Sequence, residues 1–166
     1  MTFDGIKLTR IIDAPVEVAW KAWTEPKHVM KWWGPQDYTS PFCEIDLREG
    51  GKFLFCMRAP EYQGGQDSYT AGTYGKIVPL ERLEFTQSLA DKDGDLVDPV
   101  SIGMLEDFPK QTQTTVLFKS IKQGAMTELT IIEKGQQPGS QMFLYALLGL
   151  YQTMDKLAES VKEKYQ

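Results

Sequence analysis

The sequence is poor in the residues that most chemistry needs. It has a single histidine, His28, and two cysteines, Cys43 and Cys56. One histidine rules out any multi-histidine metal site and argues against a Ser-His-Asp triad. Two cysteines 13 positions apart, with no export signal, read as buried free thiols in a cytoplasmic protein. Basic runs are missing, and the net charge is −5, so neither nucleic acid nor an anionic membrane surface is expected as a partner, and the lack of a long apolar run argues against integral membrane association. No window of about 18 apolar residues occurs. The first residues lack the basic and apolar regions of a secretory leader. There is no glycine-rich phosphate loop, CxxC pair or nucleophile elbow, so no cofactor is expected.

What is present is surface to bury. Hydrophobic residues make up 42% of 166, including four tryptophans, seven tyrosines and eight phenylalanines. That suits one folded domain, 1–166, and not a disordered chain.

Periodicity orders the elements. Residues 6–12 alternate as a strand, and Asp13-Ala14-Pro15 ends it, with Asp13 placed to cap a helix. Val16, Ala19, Trp20 and Trp23 recur at helical spacing. Pro26 opens a second short helix carrying Trp32 and Trp33, which Gly34-Pro35 stops. Six strand-like runs follow in three pairs: 42–48 with 52–57 around Gly50-Gly51, 69–78 with 82–89, and 112–121 with 126–133. The segment 90–111 breaks this meander as an acidic insertion over one end of the sheet. Ser140 is an N-cap candidate for a last helix over 141–164, about 35 Å long. Its apolar stripe runs through Phe143, Leu147, Leu150, Met154, Leu157 and Val161. Six antiparallel strands with one long helix predict an α+β fold in which a twisted sheet wraps the helix and leaves a groove at one end.

The order of motifs is specific. Arg10-Ile11-Ile12-Asp13-Ala14-Pro15, Trp32-Trp33-Gly34-Pro35, Asp46-Leu47-Arg48-Glu49-Gly50-Gly51, Gly72-Thr73-Tyr74 and Thr127-Glu128-Leu129-Thr130 follow one another before the closing helix. In this the chain resembles the START-like (SRPBCC) superfamily, and more narrowly the AHSA-type group named after the activator of the heat-shock-protein-90 ATPase. The resemblance implies a helix-grip fold. Relatives in that superfamily include co-chaperone domains, lipid carriers and polyketide cyclases, so it implies no single activity.

The expected site is a cavity between sheet and helix for a small apolar or amphipathic molecule. Its expected lining is Trp33, Phe53, Phe55, Tyr74, Phe85, Phe118, Phe143, Leu147 and Tyr151. No catalytic residue is assigned. Two other classes stay open. One is a cyclase- or hydrolase-type enzyme using Tyr74 or Tyr151, and the other is a protein-interaction or chaperone-regulating module. Asp91, Asp93 and Asp95 read as a solvated turn, because Ile102 stands where a calcium loop needs its final glutamate. Glu44 and Asp46 read as exposed charges of one strand face.

Overall fold

A computed structural model describes residues 5–163, with the side chain of Glu163 left out. The elements run β1 (Ile6–Ile12), α1 (Val16–Thr24), α2 (Pro26–Val29), β2 (Cys43–Ile45), β3 (Lys52–Arg58), β4 (Asp67–Val78), β5 (Arg82–Ala90), β6 (Thr112–Ile121), β7 (Met126–Lys134) and α3 (Gln141–Glu163). The strands form one seven-stranded antiparallel sheet in the order β1-β7-β6-β5-β4-β3-β2. It curves around α3 in the helix-grip arrangement.

Sequence and structure differ locally for physical reasons. Asp13 does not cap α1: the N-cap position falls on Pro15, and no side chain caps it. The chain turns before the helix, with Ala14 N–H donating to Ile12 O at 2.9 Å. Helix α2 is one turn long, and Trp32 and Trp33 follow it in a further turn anchored on Val29 O. Strand β2 is shorter than the expected 42–48, because 46–51 forms a wide loop closed by Asp46 N–H to Lys52 O at 3.0 Å. Ser140 does cap α3: its Oγ accepts from Phe143 N–H at 3.0 Å. Lys164, the expected last residue of α3, lies outside the described residues.

The inner face of the sheet is apolar at one end and polar at the other. Phe53 and Phe55 on β3, Tyr74 on β4, Leu83 and Phe85 on β5, Val116 and Phe118 on β6, and Leu129 and Ile131 on β7 are all buried. Continuing the same alternation toward the far end brings Thr70, Gln87, Thr114 and Glu133. Register brings these together across the strands: Glu133 pairs with Thr114, Phe85 with Thr114, and Gly72 with Gln87. On the outer face near that end, Ser88 and Ala90 are buried too, where the chain folds back and Ala90 bridges Leu96.

Helix α3 is docked unevenly. Met154, Leu157 and Val161 in its second half are buried in the core. In its first half Phe143, Leu147 and Leu150 are only half-buried, while Leu144, Tyr145, Leu148 and Tyr151 are exposed. The second half seals against α1 and β1; the first half stands off the sheet. Arg10 on β1 pairs with Asp155 across this docked half.

Candidate ligand-binding cavity between sheet and C-terminal helix

Beneath the first half of α3 lies a chamber of about 270 Å³. Trp23, Trp32, Trp33, Phe85 and Ile131 form the apolar wall, Ala146, Leu150 and Met154 come down from α3, and Thr70, Gln87, Thr114 and Glu133 supply a polar band. Volume and composition match a pocket for a small molecule with an apolar body and few polar groups.

The aromatic wall is set by local sequence. Trp32 is buried and donates its indole N–H to Ala22 O at 2.9 Å, which ties the turn to α1. Its ring packs edge-on against Trp23 with centroids 4.7 Å apart. Trp33, the next residue, faces elsewhere: its ring meets Phe55 at 4.7 Å and remains half-buried at the chamber. The Trp23 indole N–H is buried and has no hydrogen-bond partner among the described residues. It is an unused donor in the chamber wall.

Loop 33–38 forms the mouth. Lys156 on α3 reaches it with Nζ, donating to the carbonyl oxygens of Gly34 at 3.1 Å, Pro35 at 3.3 Å and Tyr38 at 2.8 Å. Gln36 N–H donates to Gln152 Oε1 at 3.1 Å. Helix and loop are thereby clamped. Burial lowers the Lys156 pKa, and the nearby Asp37 charge works against that. Gly34 has φ 103°, which a side chain rarely adopts, and a Cβ there would meet Tyr38 Cβ at 3.1 Å.

Glu133 is the one charged side chain in the chamber wall among the described residues. Burial pushes its carboxyl pKa up to about 7, and a hydrogen bond from Thr112 pulls the other way. Its strand neighbours are Ile6 on β1 and Thr114 on β6, α3 presents Ala146, Leu150, Thr153 and Met154, and segment 91–111 presents Phe108 and Pro109. None of these titrates. The stability consequence has a definite sign. A carboxyl raised in the folded state keeps its proton where the unfolded chain has lost it. The folded protein therefore holds the extra proton between pH 4.5 and about 7, and stability declines as pH rises through that window. Glu133→Gln removes this decline. Against wild type the variant should gain about 1–3 kcal/mol between pH 4 and pH 8, allowing for solvent at the carboxyl. Urea melts of both proteins across that range check this. Parallel pH profiles would refute it.

The expected lining residues divide by position. Trp33 and Phe85 border the chamber. Phe53, Phe55 and Tyr74 stand behind Phe85 around a residual void of about 10 Å³, too small for a ligand. Phe118 packs edge-on against Trp20 at 5.1 Å, deep in the core. Phe143 and Leu147 are half-buried on α3 but do not border the chamber, and Tyr151 is 48% exposed. Sequence reasoning missed Trp23, Gln87, Thr114 and Glu133. One signal was present: each polar member of this group continues the buried parity of its strand, as in Leu83-Phe85-Gln87 and Leu129-Ile131-Glu133.

The other polar candidates are structural. Asp91 Oδ1 accepts from Asp93 N–H at 2.9 Å and Asp95 N–H at 3.0 Å, closing the acidic turn on itself. No group of three or more potential metal ligands occurs among the described residues. Asp46 and Glu44 are exposed, and Asp46 pairs with Arg48 at 2.8 Å. His28 lies 3.5 Å from Glu25 on the far side of α2. Both thiols are free, and burial raises the Cys43 pKa to about 12, so it stays protonated.

With this geometry in view, comparison with known proteins is informative. The family described as "Activator of Hsp90 ATPase homolog 1-like protein" matches residues 13–162. This chain belongs to the AHSA1 family. Solved structures superpose over nearly its whole length. A protein from Nitrosomonas europaea is 23% identical, covers 97% of this chain and 96% of its own, and has a TM-score of 0.75. One from Chromobacterium violaceum is 25% identical, with 95% and 96% covered and a TM-score of 0.72. The AHSA1 protein of Silicibacter pomeroyi is 17% identical, with 96% and 99% covered and a TM-score of 0.72. At these identities the likeness speaks to the fold. Comparison with curated proteins finds no match. The AHSA1 membership and the seven-stranded sheet around α3 agree that this is a START-like domain. No helix among the described residues is long and apolar enough to cross a membrane.

Proposed function

We propose that this AHSA1-family protein binds one small apolar or amphipathic molecule in the chamber under α3 and holds it without covalent chemistry. The observation that carries this reading is the chamber itself. About 270 Å³ remains between a packed aromatic wall and a helix whose other half is tightly docked. Interiors normally pack to crystal-like density, so space of this size has a use. The reading includes a cytoplasmic setting, in keeping with two unbridged thiols.

Glu133 supports a second reading, an enzyme of the cyclase or hydrolase kind. A carboxyl titrating near neutrality inside a cavity suits general acid or base work. Tyr74 and Tyr151 are less suited: Tyr74 does not border the chamber, and Tyr151 is half-exposed on the outside of α3. Native mass spectrometry of freshly purified protein separates the readings. A binding protein should carry a small molecule that is recovered with unchanged mass after incubation. A changed mass favours the enzyme, and an empty protein that also ignores a lipid screen counts against both.

A further inference from the structure

A second cavity, of about 160 Å³, adjoins the chamber. The two share Thr70, Gln87 and Glu133, so these residues form a polar girdle between them. Beyond the girdle the wall is Ser88, Leu89, Thr112 and Gln136, with Phe108 and Pro109 from segment 91–111. That segment is held at the start of α3, where Asp107 Oδ2 accepts from Met142 N–H at 3.4 Å.

The outer end holds a buried acceptor with no partner and a carboxyl with no counter-charge among the described residues. Gln136 is only 8% exposed, and its Oε1 is buried with no partner among the described residues. An acceptor left so costs stability unless something donates to it. The Glu133 carboxyl makes no ion pair among the described residues, and no lysine, arginine or histidine borders either cavity. The Gln87 amide donates one N–H to Thr114 Oγ1 at 3.1 Å and keeps a second. The girdle thus holds a carboxyl with no positive charge beside it, and Phe108 adds an aromatic ring to the same wall. Trp23, whose indole N–H is also unused, borders both the chamber and the void behind Phe85.

We propose that Glu133 in the girdle and Gln136 beyond it recognise a protonated amine, so that the ligand is an amphipathic amine with its apolar body under α3. This rests on the chamber being a ligand site. An ammonium gives the Glu133 carboxylate, which takes a hydrogen bond from Thr112 but has no ion pair, a counter-charge away from bulk water, and it supplies a donor for Gln136 Oε1. The overall charge of −5 favours approach of a cation.

The test uses three probes with one body and different heads: 4-phenylbutylamine, 4-phenylbutanol and 4-phenylbutyrate, titrated calorimetrically at pH 7.5. Wild type should bind the amine about tenfold or more above the alcohol, and the carboxylate most weakly. Glu133→Gln should remove the preference, so that the variant binds the amine no more tightly than it binds the alcohol. Gln136→Leu should weaken the amine several-fold while raising the melting temperature, because an unpartnered acceptor is gone. This variant carries the test if Glu133→Gln fails to fold. Equal affinities for the three heads, or an amine preference that survives both variants, would overturn the inference while leaving the chamber as a binding site. Binding of none of the three would overturn the inference and count against the chamber as well.

Discussion

Gly72→Ala is expected to destabilise the protein by about 3 kcal/mol or more, lowering the melting temperature by about 6–12 °C. Gly72 sits mid-strand in β4, on the inner face between Thr70 and Tyr74. A Cβ there would fall 1.9 Å from Thr86 O on β5 and 2.2 Å from Phe53 Cζ on β3. The ring could rotate away, but the carbonyl belongs to the neighbouring strand, so β4 and β5 would have to separate. The Phe53 ring takes the place of the missing side chain, stacks on Phe55 at 4.5 Å and meets Phe85 edge-on at 5.5 Å. Removing Phe53 as well would not restore stability, because the clash with Thr86 O remains. The same exchange at Gly149, mid-helix in α3 with nothing within 4 Å of its Cβ position, should stabilise by about 0.5–1 kcal/mol. Thermal melts of the two variants should move in opposite directions. A neutral Gly72→Ala would mean that β4 and β5 are not in the described register.

Leu150→Trp should abolish ligand binding while sparing the fold. Leu150 is half-buried and borders the chamber from α3. An indole at this position extends into existing space, so the overpacking cost stays near the lower end of the usual range, about 1 kcal/mol. Affinity for any chamber ligand should fall about a hundredfold, because the ligand must expel a side chain to enter. Phe118→Leu provides the opposite pattern. Phe118 is buried against Trp20, away from the chamber, so its loss should cost about 1–2 kcal/mol and leave affinity unchanged. Calorimetric titration and melts of both variants decide the matter. Unchanged binding in Leu150→Trp would move the site elsewhere.

Much of this architecture was legible in the chain. Strands β1 and β6 fall where alternation predicts them, and the turn at 122–124 lies between β6 and β7 as its Lys-Gln-Gly composition suggests. The capping of α3 by Ser140 was also readable, since one hydroxyl three residues before an apolar run is a local signal. The strand expected over 42–48 was less so. Its C-terminal half is taken by the 46–51 loop, whose geometry depends on a long-range bond from Gly50 N–H to Tyr74 O at 2.9 Å.

The sequence by itself determined the order of elements and the apolar face of α3, because each rests on spacing between near neighbours, and its resemblance to a family implied the helix-grip class. Only the tertiary structure decided which aromatic residues border space and which fill it. Phe53 and Phe85 have the same character and the same parity; their different roles follow from where α3 lifts away from the sheet. The polar band of the chamber was likewise decided in three dimensions. Thr70, Gln87, Thr114 and Glu133 come from four strands, and no short-range pattern joins them. Antiparallel register across β4, β5, β6 and β7 brings them to one end of the inner face, and burial under α3 and segment 91–111 then shifts the carboxyl.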